Sequence, residues 1–155
     1  MNFTAEPLNK VVQAVMTVQK KIIDDRAHQV TVDIPADLPK VLVDRQRIEQ
    51  VFLNLLDNAV KFTPAGGRII VQARWEKPFV KIEVKDNGVG IPAEHLSRVF
   101  ERFYRVDRAR SRDAGGTGLG LSIVRHIISA HQGKIEVESS PGVGSTFRIF
   151  LPCQI

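Results

Sequence analysis

The apolar residues recur along the chain with two different periods. Over residues 7–25 they return every three or four positions, at Leu8, Val11, Val12, Val15, Val18 and Ile22, which is the stripe of an amphipathic helix. Residues 44–62 repeat the pattern with Ile48, Val51, Phe52, Leu55 and Ala59. Asp44 is a good N-cap for this second helix, and Pro64-Ala65-Gly66-Gly67 supplies its stop. A third helix is predicted over 118–131, closed by Gly133 in the left-handed position. Elsewhere the period is two. Residues 30–34 and the very short 41–43 read as strands. Residues 68–74 and 79–85 form a hairpin through 75–78, and 134–139 and 145–151 a second hairpin through 141–144. Between 88 and 116 both periods lapse, apart from a short helix expected over 94–103. So long an irregular segment inside a compact domain is usually functional, such as a lid. The sum is a single α+β domain over 1–155, a two-layer α/β sandwich. Its mostly antiparallel mixed sheet carries three long helices on one face.

Composition narrows the class without changing the fold. With 155 residues, 43% hydrophobic and 25% charged, the chain can build one ordinary core. No apolar run approaches the ~20 residues of a membrane span, and the N-terminus has no signal-peptide pattern. No membrane contact and a cytoplasmic setting are therefore expected. Cys153, the single cysteine, fits a reducing compartment. The net charge is +5, and much of it sits in residues 98–112 rather than along a reading helix. An anionic small ligand explains that segment more economically than nucleic acid.

The candidate chemistry begins on the second helix. At about 100° per residue, Asn54, Asn58 and Lys61 fall within roughly 60° of one another, over roughly 10 Å of helix. That span suits a polyphosphate. An asparagine carbonyl is a neutral oxygen ligand for Mg2+, which typically takes only one or two protein ligands and fills its shell with water and phosphate. Lysine is a point charge of the right sign for the phosphates. The same three residues would also suit a merely solvated helix edge. Asp86-Asn87-Gly88-Val89-Gly90 closes the second strand of the first hairpin. It is either a plain glycine turn or an acid that accepts an exocyclic amine, with glycines that let backbone approach a flat ring. Gly116-Thr117-Gly118-Leu119-Gly120 precedes a helix but follows no strand, so it is not a dinucleotide fingerprint. What remains is a glycine-rich helix N-terminus, where free N–H groups and the dipole favour phosphate oxygens. Residues 141–146 alone read as a hairpin turn.

Together and in order, these segments resemble a known family. Asn54-Leu55-Leu56-Asp57-Asn58-Ala59-Val60-Lys61-Phe62, Asp86-Asn87-Gly88-Val89-Gly90-Ile91-Pro92, Val99-Phe100-Glu101-Arg102-Phe103-Tyr104-Arg105, Gly116-Thr117-Gly118-Leu119-Gly120-Leu121 and Gly142-Val143-Gly144-Ser145-Thr146-Phe147 are similar to the catalytic ATP-binding domain of two-component sensor histidine kinases. The resemblance covers nearly the whole chain. It implies the Bergerat ATP-binding fold shared with gyrase B, the Hsp90 chaperones and MutL, with a mobile ATP lid over about 88–116.

The resemblance also implies roles. Asn58 would hold Mg2+ and Lys61 contact phosphate, with Phe62 near base or ribose. Asp86 would receive the adenine amino group, supported by Thr146, and Gly90 would let the ring sit against backbone beside Gly88 and Ile91. Phe100 to Arg105 looks like the lid's F box, which brings Tyr104 to the site. Gly116, Thr117, Gly118, Leu119, Gly120 and Leu121 would form its phosphate-binding hinge. Arg105 is the candidate for the terminal phosphates, in competition with Arg102, Arg108, Arg110 and Arg112. ATP-hydrolysing relatives carry a glutamate where this chain has Asn54, whose amide cannot take up a proton. A weak hydrolase but a competent phosphoryl donor is therefore expected. His28, His95, His126 and His131 do not sit in the family's phosphoacceptor sequence, and His126 and His131 read as packing or surface residues. The expected partners are a histidine-bearing dimerisation domain of the same kinase, absent from this chain, and a response regulator. The isolated chain is expected to be monomeric and unable to phosphorylate itself, the parent a homodimer. A gyrase-type or chaperone-type ATPase and a serine-directed anti-sigma kinase are the competing readings.

Overall fold

The computed structural model describes residues 1–104 and 120–153. In chain order the elements are β1 (Thr4–Glu6), α1 (Leu8–Asp25), β2 (Gln29–Asp33), β3 (Val41–Val43), α2 (Arg45–Phe62), β4 (Arg68–Glu76), β5 (Phe79–Asp86), a 3-10 turn (Ala93–His95), α3 (Gly120–Ala130), β6 (Lys134–Ser140) and β7 (Gly144–Pro152). β2, β4, β5, β7 and β6 form a five-stranded sheet in that order; β2 runs parallel to β4 and the other neighbours are antiparallel. β1 and β3 make a separate two-stranded sheet.

The core lies between the helices and one face of the large sheet. β5 and β7 turn Val80, Ile82, Val84, Phe147, Ile149 and Leu151 inward, all buried, as the period of two requires. α2 lies between α1 and α3 and packs on β5. Its face of Ile48, Val51, Phe52, Leu55, Leu56, Ala59 and Val60 is buried. At roughly 1.5–3 kcal/mol for each large apolar side chain removed from water, this stripe holds the helix in one rotational setting. Asp44 caps α2, its Oδ1 accepting from the Arg47 N–H at 3.3 Å. His131, at the end of α3, is buried there: Nδ1 donates to the Ile127 carbonyl at 2.7 Å and Nε2 accepts the Asp44 N–H at 3.0 Å. That is a neutral packing histidine, while His126 is exposed.

Four local expectations change. α1 buries Ile23, while Val18 is 69% exposed and Ile22 lies at the surface; Val18 falls about 80° around the helix from Leu8, at the rim of the stripe. The first hairpin keeps pairing to Glu76 opposite Phe79, so its turn is Lys77-Pro78 rather than four residues. No α-helix spans 94–103, because the N–H groups of His95, Arg98, Glu101 and Tyr104 each reach back three residues instead of four. Finally, Gln132 (φ 60°), not Gly133, takes the left-handed position after α3. Gly133 is needed for another reason: a Cβ there would collide with the Phe150 carbonyl oxygen.

The sheet's other face is polar and is tied together by Arg148. Its guanidinium contacts Glu83 at 2.9 and 3.0 Å and reaches Glu136 and Glu138 at 3.5 and 3.4 Å. Gln72 donates to the other Glu83 oxygen at 2.9 Å. Burial pushes the Glu83 pKa up, but the hydrogen bonds from Gln72 and Arg148 and the charges of Lys85 and Arg148 outweigh it and hold the carboxyl below its ordinary value. A depressed pKa contributes stability that is present above the unfolded value and lost as pH falls through the folded one. Arg148→Met is expected to lower unfolding free energy in urea at pH 7 by about 1–3 kcal/mol, with the gap to the wild type closing in acid as Glu83 protonates.

Candidate functional site

α2 presents a polar edge whose residues Asn54, Asn58 and Lys61 are all half-buried. Asn54 donates through Nδ2 to the Gly120 carbonyl at 3.3 Å, joining α2 to the first residue of α3. Lys61 is paired with Asp57, Nζ to Oδ2 at 2.9 Å, one helical turn back. The Asn58 amide has no hydrogen-bond partner among the described residues, so its carbonyl oxygen is available to a ligand. Among the described residues there is no group of three or more His, Cys, Asp or Glu side chains able to hold a metal. A divalent ion beside Asn58 would take most of its shell from phosphate and water, the habit of Mg2+. The donor set fits that ion in company with a nucleotide.

The other end of this edge meets the acid. Asp86 is the last residue of β5 and faces the same side of the sheet as Val84 and Phe147. Its Oδ1 accepts from the Gly88 N–H at 2.9 Å and the Ser145 N–H at 3.3 Å. Oδ2 has no partner among the described residues. Burial raises the Asp86 pKa, and these two N–H bonds only partly offset it. The loop after Asp86 is pinned to α2, the Val89 N–H donating to the Phe62 carbonyl at 3.1 Å. It is pinned to the second hairpin as well, since Gly142 donates to the Val89 carbonyl at 2.8 Å and the Ile91 N–H to Ser139 Oγ at 2.7 Å.

Two glycines make this packing possible. A Cβ on Gly88 would strike the Phe62 carbonyl oxygen, and Gly90, at φ +75°, lies against the Ser140 carbonyl. Along α2 the acid loop is thus bonded at Phe62 and the start of α3 at Asn54, about 12 Å apart. Asn58 and Lys61 stand between them.

The structure assembles most of the expected residues and reassigns some. Phe62, Asp86, Gly88, Gly90 and Ile91 belong to the region where the end of α2, the Asp86 loop and the second hairpin join, and Lys61, Asn58 and Asn54 follow back along α2 to the start of α3. Gly120 opens α3, with nothing among the described residues within 4 Å of where its Cβ would stand, and Leu121 packs against the core. Thr146 does not meet Asp86. Strand alternation sends it to the polar face with Arg148, opposite Lys85, whereas Ser145 is the residue paired with Asp86. Extending the inward series Leu151, Ile149, Phe147 by one step would have found Ser145 in the sequence. Asp57 and Ser139 were also missed, since neither an i,i+4 ion pair nor a strand serine stands out from spacing.

In the segment before residue 105, Phe100 is half-buried and packs edge-on against Phe147 at 6.2 Å, while Phe103 (φ 63°) is 64% exposed. The Tyr104 hydroxyl bonds His95 Nδ1, and the Arg98 guanidinium lies 4.6 Å from the Tyr104 ring centre. Arg102 is exposed. Arg105, Arg108, Arg110, Arg112, Gly116, Thr117, Gly118 and Leu119 lie outside the described residues.

Comparison with known proteins gives concordant likenesses. A family profile described as "Histidine kinase-, DNA gyrase B-, and HSP90-like ATPase" matches residues 43–155. The chain is 40% identical over 154 residues to the sensor-like histidine kinase SenX3 of Mycobacterium tuberculosis, covering 99% of this chain and 37% of that protein. It therefore spans little more than a third of that relative. Among solved structures, the nucleotide-free catalytic domain of histidine kinase ThkA superposes with a TM-score of 0.87 at 31% identity, covering 99% of this chain and 97% of that one. ThkA solved in complex with the response regulator TrrA superposes at 0.82 with 29% identity, over 98% of this chain and 42% of that one.

The environment of Asp86 has a measurable consequence for stability. A carboxyl whose folded pKa is raised destabilises the fold once the pH exceeds its unfolded value, and the cost is constant above the folded one. Asp86→Asn keeps an oxygen for the Gly88 and Ser145 N–H groups and removes the desolvated charge. The ligand-free variant is expected to match the wild type near pH 3 in urea unfolding and to exceed its stability increasingly as pH rises towards 7.

Proposed function

The chain belongs to the histidine kinase-, DNA gyrase B- and HSP90-like ATPase family, as a catalytic domain of the histidine kinase kind, and on that premise we propose that it binds Mg-ATP and donates the γ-phosphoryl group to a histidine on a separate domain. The observation that carries the reading is the half-satisfied Asp86 carboxylate: one oxygen is held by chain N–H groups and the other is left open, at the end of a helix edge bearing Asn58 and Lys61.

In this reading Asp86 Oδ2 accepts from the exocyclic amine of adenine, and the backbone around Gly88, Gly90 and Ile91 borders the ring, with Phe62 near the base or ribose. Guanine carries a carbonyl where adenine carries the amine. GTP would leave a desolvated carboxylate facing another acceptor, a mismatch of about 1–3 kcal/mol or more. Asn58 would hold Mg2+, which when bound supplies neutralising charge to the phosphates. Lys61 exchanges its Asp57 partner for a phosphate oxygen. Gly116 to Leu121 would cradle phosphates at the start of α3, Tyr104 would border the nucleotide from the lid, and Arg105 would reach the terminal phosphate.

For transfer, a nitrogen of the incoming imidazole forms a bond to the γ-phosphorus as the bond to the β,γ-bridging oxygen breaks and ADP leaves. Positioning and charge neutralisation carry most of this step. An imidazole needs no activated water, and Asn54 has no basic group with which to activate one, so hydrolysis stays slow. The acceptor is assigned to a dimerisation domain of the same kinase and the next recipient to a response regulator, the class of partner in the ThkA–TrrA complex. The setting is cytoplasmic, the parent a homodimer and the isolated domain a monomer. Among the described residues no helix is long and apolar enough to cross a membrane.

Calorimetric titration tests the binding half. Mg-ATP is expected to bind at least ~10-fold more tightly than Mg-GTP, and Asp86→Ala to abolish most of the binding. Comparable affinities for the two nucleotides would remove Asp86 from base reading. For transfer, γ-labelled ATP is expected to leave the isolated chain unlabelled until a histidine-bearing dimerisation domain is added, when base-stable, acid-labile label arises on that domain. Base-stable, acid-labile label on the chain alone would refute the division of labour.

A further inference from the structure

Ser139, on β6, lies outside every motif discussed above, yet its hydroxyl is saturated. It accepts the Ile91 N–H at 2.7 Å, donates to the Gly144 carbonyl at 2.9 Å and contacts Ser145 Oγ at 2.8 Å. A hydroxyl has one proton and two lone pairs. The Gly144 oxygen can only accept, so the Ser139 proton is committed to it. The Ile91 N–H can only donate, so one lone pair is used there. Ser145 must then be the donor in the bond between the two hydroxyls.

The consequence falls on the edge beside Asp86. Ser145 is buried, is paired with Asp86 across β5 and β7, and donates its backbone N–H to Asp86 Oδ1. With its proton sent to Ser139, its hydroxyl has only lone pairs left to offer. By their cross-strand pairing Asp86 and Ser145 turn to the same face of the sheet, where an ionised Asp86 Oδ2 and the Ser145 Oγ form an edge that accepts hydrogen bonds and does not donate them. The same Ser139 oxygen anchors the loop carrying Gly88 and Gly90 through Ile91, and the hairpin through Gly144.

We infer that Ser139 is a positioning residue that sets the polarity of this edge, making the site selective for a purine bearing an exocyclic amine. The inference rests on the nucleotide reading above and assigns its base selectivity to a side chain that does not touch the base. Without the Ser139 hydroxyl, Ser145 can turn its proton toward the ligand and the Ile91 N–H loses its acceptor. The edge then tolerates a base with a carbonyl or a bare C–H at that position.

The test titrates wild type, Ser139→Ala and Ser139→Thr with Mg complexes of ATP and of purine riboside triphosphate, which carries hydrogen in place of the amine. In the wild type ATP is expected to bind more tightly. Ser139→Ala is expected to weaken ATP about 5–10-fold and the amine-free analogue less than about 2-fold, and Ser139→Thr to restore the preference. An equal loss for both nucleotides would mark a purely structural role and overturn the inference. A wild type indifferent to the amine would overturn both this inference and base reading by Asp86. A preference abolished by Asp86→Asn but intact in Ser139→Ala would overturn this inference alone. Should thermal melting show Ser139→Ala to be unfolded, Ser145→Ala takes its place: it removes the relayed hydroxyl and keeps the Ser139 bonds to Ile91 and Gly144. An unchanged preference in that variant overturns the inference equally.

Discussion

Burial of the apolar stripe of α2 is the constraint from which the site follows. Seven side chains from Ile48 to Val60 are packed between α1, α3 and the sheet, and at most 2% of any of them is exposed. A helix fixed in rotation by so much apolar contact has no freedom left for its remaining edge. Asn54, Asn58 and Lys61 stand where the core puts them, about 12 Å of helix separating the anchor at Asn54 from the anchor at Phe62. The polar edge is a by-product of the hydrophobic one. It is correspondingly rigid without much hydrogen bonding of its own.

Around that ruler the chain accepts local costs. Asp86 ends a strand whose inward residues are otherwise apolar, and burial raises its pKa rather than lowering it. Two backbone N–H groups hold one oxygen and nothing among the described residues holds the other. Gly88 and Gly90 let the following loop press against the end of α2 and against β6, contacts that any side chain would block. These features weaken the free domain slightly and leave one carboxylate oxygen open as an acceptor. Among the described residues Lys61 is held only by Asp57, a half-buried partner one turn back, and such i,i+4 pairs contribute only a few tenths of a kcal/mol.

Most of the scaffold is legible in the sequence. The three helices and both hairpins followed from apolar periods of 3.6 and 2, and Asp44 performs the capping expected of it. The misses share a cause. The 94–103 segment carries apolar residues at helical spacing, yet its N–H groups close on the third residue back. β1 was invisible because three residues carry no period, and only pairing with β3 makes them a strand. Gly133 was assigned to a left-handed conformation that Gln132 adopts, since a glycine required by close packing and one required by φ look alike in a sequence. At the site, Thr146 and Ser145 differ by one position, and one position is the difference between two faces of a sheet.

The order of residues alone was enough to set the elements, the amphipathic faces and the family resemblance, because these depend on periodicity and on motifs that are local in the chain. It also put Asn58, Lys61 and Asp86 forward as the chemistry. Which oxygen of Asp86 stays open, that β7 pairs with β5 in the register that puts Ser145 opposite Asp86, and that Ser139 takes the Ser145 proton were decided only on folding. Together they depend on strand register and on long-range hydrogen bonds, Ser139 to Ile91 across 48 positions and Ser145 to Asp86 across 59. Contacts that distant arise from the packing of whole elements, and no local pattern encodes them.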